Sequence, residues 1–179
     1  MKLNGVEVIS FSITIPERFE DEGAVVALFT EYYGAVLAKL TAIGGPTHRR
    51  PSDLMATFGL SDYLPPNGRL TLVQDDNDVL VGGCTFNQVR DDACELKRLF
   101  IRPEANGHGL GRKTMERVFE EARRMGLRVV LINVIKENRE MLYLCEKMGF
   151  RYIERYPECA DPSEFADFFV YMQFDLKDG

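Results

Sequence analysis

Glu95-Leu-Lys-Arg-Leu-Phe-Ile-Arg-Pro-Glu-Ala-Asn-Gly-His-Gly-Leu-Gly-Arg-Lys-Thr114 reads as a strand, a short turn and a helix that starts among glycines. Leu96, Leu99, Phe100 and Ile101 make a mostly apolar run that Pro103 closes, as in a largely buried strand. From Leu110 the period changes. Leu110, Thr114, Val118, Ala122 and Met125 fall on one helical face, with Arg112, Lys113, Glu116, Glu120, Arg123 and Arg124 opposite and Gly126 as the stop.

The first turn of a helix leaves backbone N–H groups without partners, and the helix dipole adds positive potential there, so such an end attracts anions. The absence of side chains at Gly107, Gly109 and Gly111 would let a phosphate approach those amides. Two familiar phosphate loops fail on spacing. A Walker A loop needs Gly directly before Lys-Thr, where Arg112 stands. A dinucleotide loop needs two residues between its second and third glycines, whereas these alternate.

Outward from this stretch, the chain alternates elements without a repeat, a low-complexity tract or a linker. Val6 to Ile15 reads as a strand closed by Pro16, with Val6, Val8, Phe11, Ile13 and Ile15 apolar. An amphipathic helix is expected from about Glu17 to Leu40, with Phe19, Val26, Phe29, Tyr33, Val36 and Leu40 inward. Gly44-Gly45-Pro46 ends it, and Ser52 is placed to cap a short helix over Asp53 to Leu60. Arg69 to Gln74 and Val79 to Phe86 form a hairpin around Asp75-Asp-Asn-Asp78, and Ala93 to Ile101 continues it antiparallel. Arg128 to Ile135 is apolar enough for a parallel strand covered on both faces. Asn138 then caps a helix ending at Gly149, and Phe150 to Tyr156 with Phe168 to Phe174 gives a last antiparallel pair. The fold class is α/β (α+β): a mixed sheet with antiparallel N-terminal strands and a central parallel pair, flanked by helices, in one domain over residues 1–179.

Composition narrows the function. At 179 residues, 45% hydrophobic and 28% charged, the chain can bury a proper core. No uninterrupted apolar run nears the ~20 residues of a membrane helix, and Met1-Lys-Leu-Asn-Gly-Val lacks a signal peptide's apolar segment, so a cytoplasmic protein without membrane partners is expected. Cys84, Cys94, Cys145 and Cys159 show no CxxC spacing, and His48 and His108 are the only histidines, which speaks against disulfides and a metal. A net charge of −6 argues against nucleic acid and fits a cationic substrate somewhat better.

Asn106-Gly107-His108-Gly109-Leu110-Gly111 resembles the acetyl-CoA loop of the GNAT superfamily of N-acetyltransferases, Gln/Arg-x-x-Gly-x-Gly/Ala, with Asn106 at the Gln/Arg position. Leu99-Phe100-Ile101-Arg102-Pro103 resembles that family's Leu-Tyr-Val-x-Pro strand end, and the order of elements resembles its topology over essentially the whole chain. The resemblance implies acetyl transfer from acetyl-CoA to an amine acceptor, without a metal. It also implies a strand before the loop that splays from the next parallel strand to admit pantetheine, and a possible homodimer.

Residue by residue, it implies a cofactor site of Leu99, Phe100, Ile101, Asn106, Gly107, His108, Gly109, Leu110, Gly111, Arg112, Lys113 and Asn138. Within it Leu99 and Ile101 would act through the backbone, Arg112 and Lys113 would reach phosphates, and His108 would serve mainly as a spacer. Glu95, four residues before Leu99, stands where several family members carry a catalytic base; the alternative is a structural partner for Lys97 or Arg98. Asn138-Arg-Glu-Met-Leu-Tyr-Leu-Cys-Glu-Lys-Met-Gly-Phe150 is similar to the family's Asn-x-x-Ala-x-x-Leu-Tyr-x-x-x-Gly-Phe, which puts Cys145 where a tyrosine often serves as general acid. Tyr143 cannot replace it, since two residues turn a helix by about 200°. Either Cys145 lies beside the CoA sulfur, or it is a small core residue and the thiolate leaves unaided. For the acceptor, Glu154, Glu158, Asp161, Glu164 and Asp167 could recruit an amine, whereas His48-Arg49-Arg50 could hold a carboxylate or phosphate. The function expected is N-acetylation of a primary amine of a small molecule, or of a peptide, by direct attack in a ternary complex. The alternative is a non-catalytic acyl-CoA-binding or regulatory module.

Overall fold

The computed structural model describes residues 2–3, 6–7, 10–46, 48–56, 59–159 and 161–176. The elements are β1 (Lys2–Leu3), β2 (Val6–Glu7), β3 (Phe11–Thr14), α1 (Glu22–Ala42), α2 (Pro51–Ala56), β4 (Gly68–Asp75), β5 (Leu80–Arg90) and β6 (Ala93–Ile101). They continue with α3 (Leu110–Arg124), β7 (Val129–Ile135), α4 (Arg139–Met148), β8 (Arg151–Ile153) and β9 (Phe169–Asp175). β1 and β2 pair with each other, and the main sheet runs β3-β4-β5-β6-β7-β9-β8. Every neighbouring pair in it is antiparallel except β6 and β7, the central parallel pair.

One face of the sheet carries α3 and α4. Met115, Val118 and Phe119 of α3 and Cys145 of α4 pack there with Phe86, Leu96, Val130, Ile132 and Met172. The other face carries α1, whose Val25, Leu28 and Phe29 pack with Leu70, Leu80 and Phe100. The phase of α1 differs from expectation. Val26 is 38% exposed, while Val25 and Leu28 point inward at the i, i+3, i+4 spacing with Phe29. By length and composition α1 is apolar enough to cross a membrane; here its Val25, Leu28 and Phe29 rest on the sheet.

Local chemistry moved several boundaries. α1 starts at Glu22 because the Asp21 carboxylate accepts from the Ala24 amide at 2.9 Å. The first strand of the main sheet is only Phe11–Thr14; Val8, counted toward it, lies outside the described residues, as do 57 and 58 of the short helix. That helix begins at Pro51, and the residue that closes its start is Asp53, which accepts from the Arg50 amide at 3.0 Å, in place of Ser52. Asn138 occupies the cap position of α4 without a capping side-chain bond.

β6 changes character halfway along. Gly83 faces Phe100 and Thr85 faces Lys97, so Arg98 and Leu99 together oppose Cys84: a β-bulge, with Arg98 at φ +58°. On its other side the ladder with β7 covers only Ala93–Leu96 against Val129–Ile132. From Lys97 onward the two parallel strands diverge.

The glycine turn after β6 divides its labour. Gly107 (φ +84°) and Gly109 (φ +69°) adopt the left-handed conformation, and a Cβ on either would meet nothing within 4 Å. Gly111 has an ordinary helical backbone, and its Cβ would stand 3.3 Å from Leu144 Cδ2 of α4. Gly111 therefore also serves the close approach of two helices. Two substitutions separate these roles in urea denaturation. Gly109→Ala is expected to cost about 1–2 kcal/mol through the backbone alone, whereas Gly111→Ala should stay within about 1 kcal/mol, because better helix propensity offsets the contact.

Candidate active site

The divergence of β6 and β7 opens a cavity of about 600 Å³, lined by Glu95 through Leu99 from one strand and Ile132 through Ile135 from the other. α1 contributes Tyr32, Tyr33, Val36 and Leu37, and Asn138 and Met141 come from the start of α4. Arg49, Glu158, Asp161 and Phe165 complete it.

On the cofactor side, Asn106, Gly107, His108, Gly109, Arg112 and Lys113 are all exposed around the start of α3, with His108 resting against Phe11 at 5.0 Å between rings. Gly109 is the cap residue and supplies no side-chain bond, and the helical ladder begins with the Lys113 amide on the Gly109 carbonyl at 3.1 Å. The amides of Leu110, Gly111 and Arg112 therefore have no acceptor within the helix. Uncapped amides, open space over Gly107 and Gly109, and a gap between unladdered strands suit a pyrophosphate joined to an extended arm. Phe100 and Ile101 turn their side chains into the two flanking layers, against Tyr32 and against Gly82, and Leu110 is buried beneath the turn. Asn138 is held from behind: Lys39 Nζ of α1 donates to its Oδ1 at 2.8 Å.

On the opposite side lies a connected set of polar groups. Glu95 is only 6% exposed. The Tyr156 hydroxyl donates to its Oε1 at 2.5 Å, and Lys97 Nζ lies 3.2 Å from its Oε2. Lys97 also meets Asp161 Oδ1 at 3.2 Å, and Asn133 Nδ2 donates to Asp161 Oδ2 at 2.5 Å. Burial pushes the Glu95 carboxyl above its usual range, and Lys97 and the Tyr156 hydroxyl pull it back only in part. Burial opposes charge on Lys97 too, yet Asp161 and Glu95 together hold its ammonium above its ordinary pKa. Burial and the neighbouring Glu95 charge keep Tyr156 protonated, and so a donor. The bulge sends Arg98 to the same face as Lys97: its Nε donates to Tyr33 Oη at 2.7 Å and its Nη1 to Tyr63 Oη at 2.8 Å.

The expected residues thus divide. Glu95, Leu99 and Asn138 line one cavity, and Glu95 does pair with Lys97, so its two readings coexist. Cys145 is fully buried among the residues beneath α3 and α4, with its thiol pushed up to about 12 by burial, and Tyr143 is 63% exposed on the opposite face. Of the two charged clusters proposed for the acceptor, Arg49 comes from one and Glu158 and Asp161 from the other, and all three line the cavity. His48, Arg50, Glu154, Glu164 and Asp167 are exposed. Sequence reasoning missed Arg98, Tyr156 and Asn133. For Arg98 a signal existed: two successive polar residues, Lys97-Arg98, interrupt the alternation of β6, as a bulge does.

Comparison with known proteins bears on the family and the fold. The acetyltransferase (GNAT) family matches residues 25–150. An L-methionine sulfoximine/L-methionine sulfone acetyltransferase of Salmonella typhimurium is 27% identical over 145 residues, covering 79% of this chain and 82% of that protein. The L-amino acid N-acyltransferase MnaT of Escherichia coli is 30% identical over 116 residues, 62% of this chain and 67% of its own. Among solved structures, yncA of Salmonella typhimurium with its cofactor acetyl-CoA superposes with a TM-score of 0.61 at 24% identity, covering 93% of this chain and 95% of that one. A GNAT-family acetyltransferase of Staphylococcus aureus gives 0.68 at 16% identity, over 93% and 100%. With the glycine turn, the splayed parallel pair and a match over residues 25–150, the chain belongs to the GNAT family and is an acetyl-CoA-dependent N-acetyltransferase.

Proposed function

We propose that this protein is a cytoplasmic enzyme, one domain over residues 1–179, that acetylates the primary amine of a small molecule by direct attack in a ternary complex. The observation that carries the reading is the position of Glu95, a buried carboxylate with a raised pKa at the wall of the cavity that opens where β6 and β7 part. A space of about 600 Å³ suits a small acceptor better than a folded chain. The named substrates of the two curated relatives are small amines as well.

In this reading acetyl-CoA, when bound, supplies the activated thioester. The α3 amides, with Arg112 and Lys113, would hold its pyrophosphate, and the main chain of Leu99–Ile101 together with Asn138 would hold its pantetheine arm. Glu95 accepts a proton from the acceptor's ammonium, directly or through water, because a free alkyl amine is mostly protonated at neutral pH. Tyr156 and Lys97 fix the carboxylate, each holding one of its oxygens. Cys145, buried in the core, takes no part, and the thiolate leaves without a side-chain acid.

Glu95→Gln should lower kcat about 10²- to 10⁴-fold at neutral pH. Because burial raises the carboxyl's pKa, the wild-type rate should decline with falling pH well before the ordinary glutamate range is reached, and that limb should vanish in the variant. Full activity of Glu95→Gln across pH would remove Glu95 as the base. Lys39→Met frees the Asn138 amide to rotate; it should raise KM for acetyl-CoA by roughly 3- to 10-fold, the worth of about one hydrogen bond, with kcat moving less. An unchanged KM in steady-state kinetics would mean that Asn138 does not hold the pantetheine arm.

A further inference from the structure

Two buried polar atoms lining the cavity have no hydrogen-bond partner among the described residues: Arg49 Nε and Glu158 Oε2. They carry opposite charge. The Arg49 guanidinium has one carboxylate near it, Glu164, whose Oε1 stands 3.7 Å from Nη2, too far for a hydrogen bond. The Phe165 ring lies 6.0 Å from the Arg49 Cζ, measured to the centroid. The Nε–Nη2 edge of a guanidinium is a two-donor fork that matches a carboxylate. Glu158 is half satisfied: Arg90 Nη1 takes Oε1 at 3.3 Å, and Oε2 is left over. Leaving such atoms buried and unpaired costs about 1–3 kcal/mol each, and neither serves the packing of the core. Both line the space that the acceptor would fill.

Resting on the reading that this cavity acetylates a small amine, we infer that its acceptor is zwitterionic, with a carboxylate or similar anion seated on the Nε–Nη2 edge of Arg49 and the ammonium drawn toward Glu158. One ligand of this kind supplies both missing partners at once. An amine without the anion supplies only one and leaves the Arg49 edge uncompensated. Arg49 and Glu158 are then specificity determinants, set apart from Glu95, which moves the proton. The cationic wall continues through Arg98, held by Tyr33, Tyr63 and Thr85, and the acidic wall through Asp161, held by Lys97 and Asn133. The two charged clusters are therefore two ends of one substrate site.

The test compares an apolar L-α-amino acid, its primary amide and its decarboxylated amine at saturating acetyl-CoA. Wild type should prefer the acid over the amide in kcat/KM by about 10- to 100-fold, the worth of one charged hydrogen-bonded contact, and mostly through KM. Arg49→Met should shrink that preference at least about tenfold, while Arg49→Lys should retain part of it and guards against a folding defect. Equal use of acid and amide by wild type, or equal loss of both in Arg49→Met, would overturn the inference. A binding readout separates it from the chemistry: with CoA present, the N-acetylated amino acid should raise the thermal midpoint and its amide should do so less. That difference without turnover of any amine would count against Glu95 catalysis while upholding the Arg49 seat; equal shifts would refute the seat.

Discussion

Leu96 and Ile132 form the last rung of the parallel ladder, and the next residues in register, Lys97 and Asn133, meet through a side chain instead of through their backbones. Asp161 takes Lys97 on one oxygen and Asn133 on the other. A carboxylate thus joins side chains of the two strands just beyond the last rung of their main-chain ladder. Parallel sheets covered on both faces ordinarily continue their ladders, since unpaired amides and carbonyls are expensive to bury. The interruption leaves main-chain groups of the two strands without a ladder and opens a gap into which an extended ligand can lie as a further strand would. The cavity between β6 and β7 and the position of Glu95 on its wall both follow from where this ladder stops.

The other side of β6 reinforces the break. Arg98 sits at φ +58°, which costs a non-glycine residue about 1–2 kcal/mol. Its guanidinium donates to Tyr33, Tyr63 and Thr85, and each hydrogen bond to a charged group contributes on the order of 1.5–3 kcal/mol. The local strain is therefore outweighed by contacts that join β6 to α1 and to the turn before β4. Two consecutive cationic residues come to share a face by this means. Lys97 turns toward Glu95 and Asp161, and Arg98 toward the tyrosines. Strict alternation would have sent one of them into the apolar layer beneath α3.

How far the sequence foretold this depends on the range of the interactions concerned. β6, α3 and β7 were legible because periodicity, Pro103 and Gly126 are local signals, and the 2.9 Å bond from Leu127 N to Ala122 O closes α3 as a glycine stop should. The parallel pair was legible from the apolar run of β7. Asp161 and Tyr156, by contrast, lie in a connection after β8 whose sequence is merely polar, and their attachment to β6 spans more than sixty positions. Asn138 read as a helix cap because Asn before a helix usually is one. Lys39, 99 residues away, claims its oxygen instead. Gly111 looked like Gly107 and Gly109, and its helical backbone and the position of Leu144 distinguish it.

The burial of Cys145 bears on how the reaction balances its protons. Its thiol is pushed up to about 12, against about 8.5 for an ordinary thiol. It therefore holds its proton more tightly than the departing thiolate would, and it has no exposed surface through which to deliver one. On the reading advanced for Glu95, none is required. An ammonium carries three protons, and the amide nitrogen it becomes carries one. The carboxylate of Glu95 receives the first of the two released, and the second is available to the leaving sulfur from the same nitrogen. The acceptor brings its own acid, so a chain with a cysteine in place of the usual tyrosine loses nothing that the stoichiometry demands. On that reading what the enzyme must supply is a base, and Glu95, desolvated and with a donor on each oxygen, is the candidate for it.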